Sequence, residues 1–229
     1  MRERNEDELF ISPAGVLIVA DGLGGLPAGE VASEAAVASA ALALAGRVDR
    51  ALERRAAESL LHDAFEAANR AVTERAEHDR RCKGMATTLV IALVMKSSLA
   101  LAHVGDVRAY RLGAGRLERL TDDHTRAWEW VASGELSEEE AKRSPYRNAL
   151  TRVLGFGDVE PAVRTVELAP GDVVLLCSDG LWDPVDEHEI EIILRNRTVD
   201  ACSRAVALAD AALAAGGPDN ITAVVYQHS

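Results

Sequence analysis

The chain has 229 residues, 48% of them hydrophobic, which is enough for one domain with a substantial core. Its 37 acidic against 25 basic residues give a formal net charge of −12. That excludes the basic face of a nucleic-acid binder, while remaining compatible with a phosphorylated substrate held by cations. The three cysteines, Cys82, Cys177 and Cys202, are odd in number, far apart and without a Cys-x-x-Cys pair. A disulfide framework or zinc ribbon is therefore not expected, and a reducing, cytoplasmic setting is.

Residues 2–10 are charged and lead into no apolar run, so no secretory signal is read there. The longest apolar stretch, 35–45, is broken by Ser39 and too short to span a bilayer, so no membrane association is expected. Val16-Leu-Ile-Val-Ala is a continuous apolar run, as in a strand buried on both faces. It ends in Asp21, followed by a turn containing Gly22, Gly24 and Gly25. A helix is predicted over 27–46, opened by Pro27 and closed at Gly46. A second, over 50–80, has Leu52, Ala56, Leu60, Ala64, Ala67 and Ala71 at helical spacing. Strands are predicted at 87–95, 99–104 and 107–112. Their short turns argue for antiparallel pairing, since a parallel crossover needs a longer connection.

Residues 121–150 differ in character. They begin with a polar Thr121-Asp-Asp-His-Thr125 and contain a Ser137-x-x-Glu140 capping-box pattern and a terminating Pro145. Trp128 and Trp130, two apart, cannot share a helix face. This stretch reads as a flap over a site, in a single domain covering 1–229. A strand follows at 173–177, then a helix at 186–195 with an Asp186/Glu189 cap, a helix at 200–215 closed by Gly216-Gly217-Pro218, and a last strand at 221–226.

Asp21, Asp106, Asp179 and Asp219 share one context: each stands at the mouth of an apolar strand beside Gly or Asn. Singly, each is an ordinary loop aspartate making a local hydrogen bond. Gathered at one edge, four carboxylates would repel unless cations neutralised them. Oxygen-only ligands favour Mg²⁺, Mn²⁺ or Ca²⁺. None of the six histidines lies three to five residues from another. His103, inside a strand, reads as a core residue, and His124 reads as an exposed residue of the flap.

The text around these aspartates carries a resemblance. It runs through Arg2-x-x-Asn5-Glu6-Asp7, Val19-Ala-Asp21-Gly22-Leu-Gly24-Gly25, Gly29-Glu30-Val31-Ala32-Ser33 and Gly84-Met85-Ala-Thr87-Thr88. It continues through Ala102-His103-Val104-Gly105-Asp106-x-Arg108-Ala-Tyr110, Leu120-Thr121-x-Asp123-His124, Leu150-Thr-Arg152-x-Leu154-Gly155, Leu176-Cys177-Ser178-Asp179-Gly180-Leu181 and Gly217-Pro-Asp219-Asn220-Ile221-Thr222. In this order the motifs resemble those of the metal-dependent protein phosphatases of the type 2C (PPM) class, and most closely the bacterial stand-alone catalytic domain.

The resemblance implies an α+β fold: a central sandwich of two antiparallel sheets flanked on both faces by antiparallel helix pairs, in four αββα layers. It implies that Asp21 bridges two Mg²⁺ or Mn²⁺ ions and that Gly22 offers its carbonyl to one of them. Asp179 and Asp219 would bind the other, and Glu6 would hold metal-bound water. Asp106, with Asp179, would form a third, weaker metal site. Asp7 and Asn220 would stand behind these ligands, and Arg2 would grip the substrate phosphate. The implied reaction is hydrolysis of phosphoserine or phosphothreonine by direct attack of a hydroxide shared by the two metals. The implied partners are phosphorylated proteins and the Ser/Thr kinase that the enzyme opposes, with the enzyme itself a monomer.

The sequence departs from the family pattern at several points. Met1 immediately precedes Arg2, where the family usually carries a strand. Leu23 stands where relatives have Met or His, so a water, or His124, would protonate the leaving group. Leu26, Ala86 and Val107 replace a common His, Gly and Ser. Two other readings compete: a non-catalytic phosphoprotein-binding scaffold of the same fold, and a nucleotide-binding doubly wound domain suggested by Asp21-Gly-Leu-Gly-Gly.

Overall fold

A computed structural model describes residues 4–23, 28–49 and 52–229. Two antiparallel sheets form its centre. The first has the order β1-β2-β3-β4-β7, from β1 (Asp7–Ser12), β2 (Val16–Asp21), β3 (Leu89–Val94), β4 (Ser98–Val104) and β7 (Ala162–Glu167). The second has the order β6-β5-β8-β9, from β5 (Arg108–Gly113), β6 (Arg116–Arg119), β8 (Val173–Cys177) and β9 (Ala223–Gln227). Antiparallel pairing throughout rules out the doubly wound alternative.

The continuous apolar runs follow from burial on both faces. Val16, Ile18 and Ala20 of β2 pack beneath α1 (Gly29–Leu44) and α2 (Arg54–His78), while Leu17 and Val19 face the second sheet. β3 alternates likewise: Leu89, Ile91 and Leu93 lie under the helices, and Val90 and Ala92 between the sheets. On the other side Val173, Leu175 and Cys177 of β8 meet α6 (Glu187–Arg195) and α7 (Ala201–Ala214). The order of layers is helix pair, sheet, sheet, helix pair, as the sequence implied. Ala32, Ala36 and Ala40 of α1 and Ala57, Ala64 and Ala68 of α2 are fully buried. Small side chains there let the helices lie close to each other and to the sheet.

Several boundaries differ from those predicted. Strands β1, β6 and β7 and the short helix α5 (Asp179–Trp182) had not been read from the sequence. The third predicted strand does not pair with the second: β4 belongs to one sheet and β5 to the other. The chain crosses between them at Gly105, whose φ is +99° and where any Cβ would collide with the Thr88 side chain. Within 121–150 lie α3 (Arg126–Ala132), capped by Thr125, and α4 (Glu138–Arg143), whose Ser137/Glu140 capping box is fully formed. The Asp186 and Asp200 side chains accept the Glu189 and Ser203 amides at 2.8 Å and cap α6 and α7. Gly24, Gly25, Leu26 and Pro27 lie outside the described residues, and α1 is entered through Ala28 in a left-handed conformation.

Candidate metal centre

Antiparallel register brings the acidic positions to one edge. Asp7, at the start of β1, lies directly opposite Asp21, at the end of β2. In the second sheet Cys177 pairs with Arg108 on one side and Ala223 on the other. Asp179, Asp106 and Asp219, each a few residues beyond those partners, therefore emerge at the same edge. Asp7 ties the two sheets together there: its Oδ2 accepts the hydroxyls of Ser178 and Thr222, both at 2.7 Å.

Backbone contacts fix the surroundings. The Gly22 amide donates to the Glu6 carbonyl at 2.9 Å, and the Glu6 amide donates to Asn220 Oδ1 at 3.0 Å. Asn220 Nδ2 donates to the Arg4 carbonyl at 3.0 Å, so one amide side chain holds the segment before β1. The Asp21 carbonyl accepts the Thr88 amide at 2.9 Å and the Thr87 hydroxyl at 2.8 Å. A Cβ on Gly22 would collide with the Gly29 carbonyl, and one on Gly180 with the Asn220 carbonyl. The glycines are required by close backbone approach, not by turn conformation.

The electrostatics are those of crowded acids. Burial, then the charges of Asp7, Asp179 and Asp106, holds Asp21 well above the usual carboxylate range. Burial and Asp179 push Asp106 up to about 8. Burial and Asp219 push Asp179 up to about 6. Asp7 is raised mainly by burial, against the bonds from Thr222 and Ser178. Asp21 stands opposite Asp7 in the β1–β2 register, and the charges of Asp7 and Asp179 both act on it; carboxylates crowd in this way at the cost of a proton or with a cation among them. Asp7 Oδ1 and Asp179 Oδ1 are buried without a partner. Among the described residues no three acidic, imidazole or thiolate side chains are already spaced to hold an ion. The orphaned Asp7 and Asp179 oxygens are what a hard cation satisfies. The residues fit divalent metal.

Glu6, Asp7, Asp21, Gly22, Asp106, Asp179, Asp219 and Asn220 thus share this edge, and Arg2 lies outside the described residues. His124 corrects its expectation. It is buried, stacks on His103 at 4.6 Å between centroids, and its Nδ1 accepts the Gly105 amide at 3.1 Å. Burial is the main cause that brings its pKa down to about 3. It is therefore neutral and structural, not an exposed flap residue. Burial pushes the Cys177 thiol far up, which fits an inert core cysteine.

Sequence reasoning missed a supporting chain. The Trp182 indole donates to the Asp106 carbonyl at 2.9 Å, and the Arg108 guanidinium lies over the Trp182 ring at 3.5 Å. Arg108 also forms a bidentate pair with Asp123 at 2.9 and 2.6 Å. The Gly105-Asp106-x-Arg108 spacing was visible, but its partner Trp182 sits on a four-residue helix with no periodic signal.

The fold, two antiparallel sheets between helix pairs, and the acidic edge at which both sheets end define an architecture suited to divalent metal. The protein phosphatase 2C family model matches residues 2–214, and the chain belongs to that family. It is 38% identical over 226 residues to the serine/threonine protein phosphatase PstP of Mycobacterium tuberculosis, covering 98% of this chain and 42% of that protein. It is 38% identical to the serine/threonine phosphatase stp of Listeria welshimeri, covering 93% of this chain and 84% of the relative. The chain thus spans less than half of PstP and most of the Listeria protein. A solved catalytic domain of PstP in complex with 2 manganese ions superposes with a TM-score of 0.85 at 37% identity, covering 98% of this chain and 92% of that one.

Proposed function

We propose that this chain is a Mg²⁺- or Mn²⁺-dependent protein serine/threonine phosphatase that acts on phosphorylated proteins and opposes a Ser/Thr kinase. In this reading it works as a cytoplasmic monomer, one domain over 1–229 with 121–150 as a flap beside the site. One observation carries the reading: Asp21 and Asp7 face each other at one buried acidic edge with Asp179, where Asp7 Oδ1 and Asp179 Oδ1 stay buried and unpaired. Asp21, the Gly22 carbonyl, Asp179 and Asp219 would hold two ions, with Glu6 beside them and Asp106 positioned for a third.

Divalent cations at such a site supply positive charge to the phosphoryl oxygens and lower the pKa of water toward neutrality. The chain's own residues do the rest. Asp7, held by Ser178 and Thr222, fixes the position of Asp21 across the β1–β2 pair. Asn220 sets Glu6 and the backbone at Arg4. Arg2, two residues before Arg4, would offer a guanidinium fork to the phosphate. Leu23 carries no proton and His124 is buried, so water protonates the leaving oxygen. Neither neighbour of Asp179 is freed for attack: Cys177 is buried and the Ser178 hydroxyl is held between Asp7 and the Thr222 amide.

The test is hydrolysis of p-nitrophenyl phosphate and of a phosphothreonine peptide with Mn²⁺, with chelator, and in Asp179→Asn. Turnover that needs metal and falls by orders of magnitude in the variant is expected. Wild-type turnover no faster than that of Asp179→Asn would sink the enzyme reading. Tight phosphopeptide binding without turnover would support the scaffold instead.

No helix among the described residues is long and apolar enough to cross a membrane.

A further inference from the structure

The opposite end of the second sheet carries a cation-rich cavity that the catalytic reading does not use. It is bounded by the β5–β6 turn, the loop into β8, the end of α6, and α7. Its volume is about 640 Å³, and its charged lining is Arg111, Arg195, Arg197, Arg204 and Asp172. Four guanidiniums to one carboxylate is the reverse of the chain's overall balance of 25 basic to 37 acidic residues. The cavity abuts Val173 at the start of β8, whereas Asp179 follows the end of that strand. The two sites are thus separated by the length of the strand, roughly 13 Å at the usual rise.

The charges are unevenly compensated. Arg111 is paired with Asp172 at 2.7 Å, and Arg195 with Glu191. Arg204 is 1% exposed and meets no carboxylate in an ion pair among the described residues. Its Nε and Nη2 donate to the Asn196 and Val199 carbonyls at 2.8 and 3.2 Å, and its Nη1 has no partner. Its charge acts on Asp200 without an ion pair between them. Burying a guanidinium without a counter-ion is unfavourable unless something supplies the negative charge. Arg197, on the rim, makes no hydrogen bond or ion pair among the described residues. The wall also includes Leu112, Pro170 and Leu194, and the volume exceeds what a bare phosphate needs.

We propose that this cavity binds a phosphate group, free or as the end of a small organic phosphate, against Arg197 and Arg204. Guanidinium forks match phosphate oxygens bidentately, and the apolar wall accommodates an attached organic group.

Calorimetric titration of the Mn²⁺-loaded protein with pyrophosphate, ADP and adenosine, in wild type and Arg197→Glu, tests this. Arg197 is exposed and remote from the acidic edge, so the variant should keep its fold and its kcat/KM for p-nitrophenyl phosphate. The expected result is binding of ADP or pyrophosphate to wild type that weakens roughly tenfold or more in Arg197→Glu and weakens with added salt. Equal affinities for pyrophosphate and ADP would identify free phosphate chemistry as the source, and a clear preference for ADP an organic phosphate. Binding that is unchanged in Arg197→Glu, or that is equally strong for adenosine, would overturn the proposal. So would the absence of any binding at millimolar concentration. Hydrogen exchange adds a readout that occupancy of the acidic edge would not give: slower exchange around 113–115 and 194–197 on adding ADP.

Discussion

Gly180 stands between Asp179 and the loop that carries Asp219 and Asn220, and any side chain there would collide with the Asn220 carbonyl. Backbone cannot yield as a flexible side chain can, so Gly180→Ala should force the two acidic loops apart. The expected cost is about 1–3 kcal/mol of stability, with loss of metal-dependent turnover, read from urea unfolding and p-nitrophenyl phosphate assays. His124 makes a separate prediction. Its folded pKa of about 3 lies below the ordinary histidine value of 6.5, chiefly through burial. A depressed pKa means stability that is present above 6.5 and lost as pH falls toward 3. Asn at this position can still accept the Gly105 amide but cannot take a proton. The stability of wild type relative to His124→Asn should therefore fall between pH 7 and pH 5. A constant difference across that range would refute the buried neutral imidazole. The comparison is needed because the raised acids, Asp7 among them, contribute with the opposite sign: their stabilisation is present at low pH and lost as pH rises.

Among the elements, the central strands were legible because burial on both faces writes a continuous apolar run. The strands missed, β1, β6 and β7, are all edge strands. β1 reads Asp-Glu-Leu-Phe-Ile-Ser, and its Leu9 and Ile11 stay 43% and 55% exposed. An edge strand packed on few neighbours needs no alternation, so its charged first half read as a terminal segment. β7, AVRTVE, is nowhere fully buried, which erases its pattern. The capping signals at Ser137 and Asp186 were readable because a cap is a local bond; the cap that Asp200 provides was not read. The site divides in the same way. The aspartates were found through their recurring strand-end context and the family motifs, whereas α5 has only four residues and its role lies in a long-range contact of Trp182. Trp182→Phe keeps the ring beneath Arg108 and removes the indole donor to the Asp106 carbonyl. We expect a loss of about 1 kcal/mol and a higher Mn²⁺ concentration for half-maximal activity, with the peptide KM unchanged at saturating metal. An unchanged Mn²⁺ dependence would show that the bond does not position Asp106.

For the molecule as a whole, the sandwich gathers acids from both sheets before any ion neutralises them, so the proposed metal site links folding to metal binding. Without metal, Asp21 and Asp179 are buried beside Asp7, Asp106 and Asp219, and their mutual repulsion opposes the fold. An ion that binds only the folded chain adds about 2.7 kcal/mol at a hundred times its Kd. For a domain of this size that corresponds to a rise in Tm of several degrees, at about 2–4 °C per kcal/mol. Asp179→Asn separates the two effects, because it removes a repelling charge and, in the proposed reading, a metal ligand in one substitution. In chelator the variant should melt at the same temperature as wild type or above it. With Mn²⁺ added, wild type should rise well past the variant, whose own shift should be small. The order of the two melting temperatures should therefore invert or open on adding metal. Parallel shifts would mean that Asp179 holds no ion. A variant that melts far below wild type in chelator would mean that this carboxylate supports the fold through direct contacts, not at the cost of repulsion.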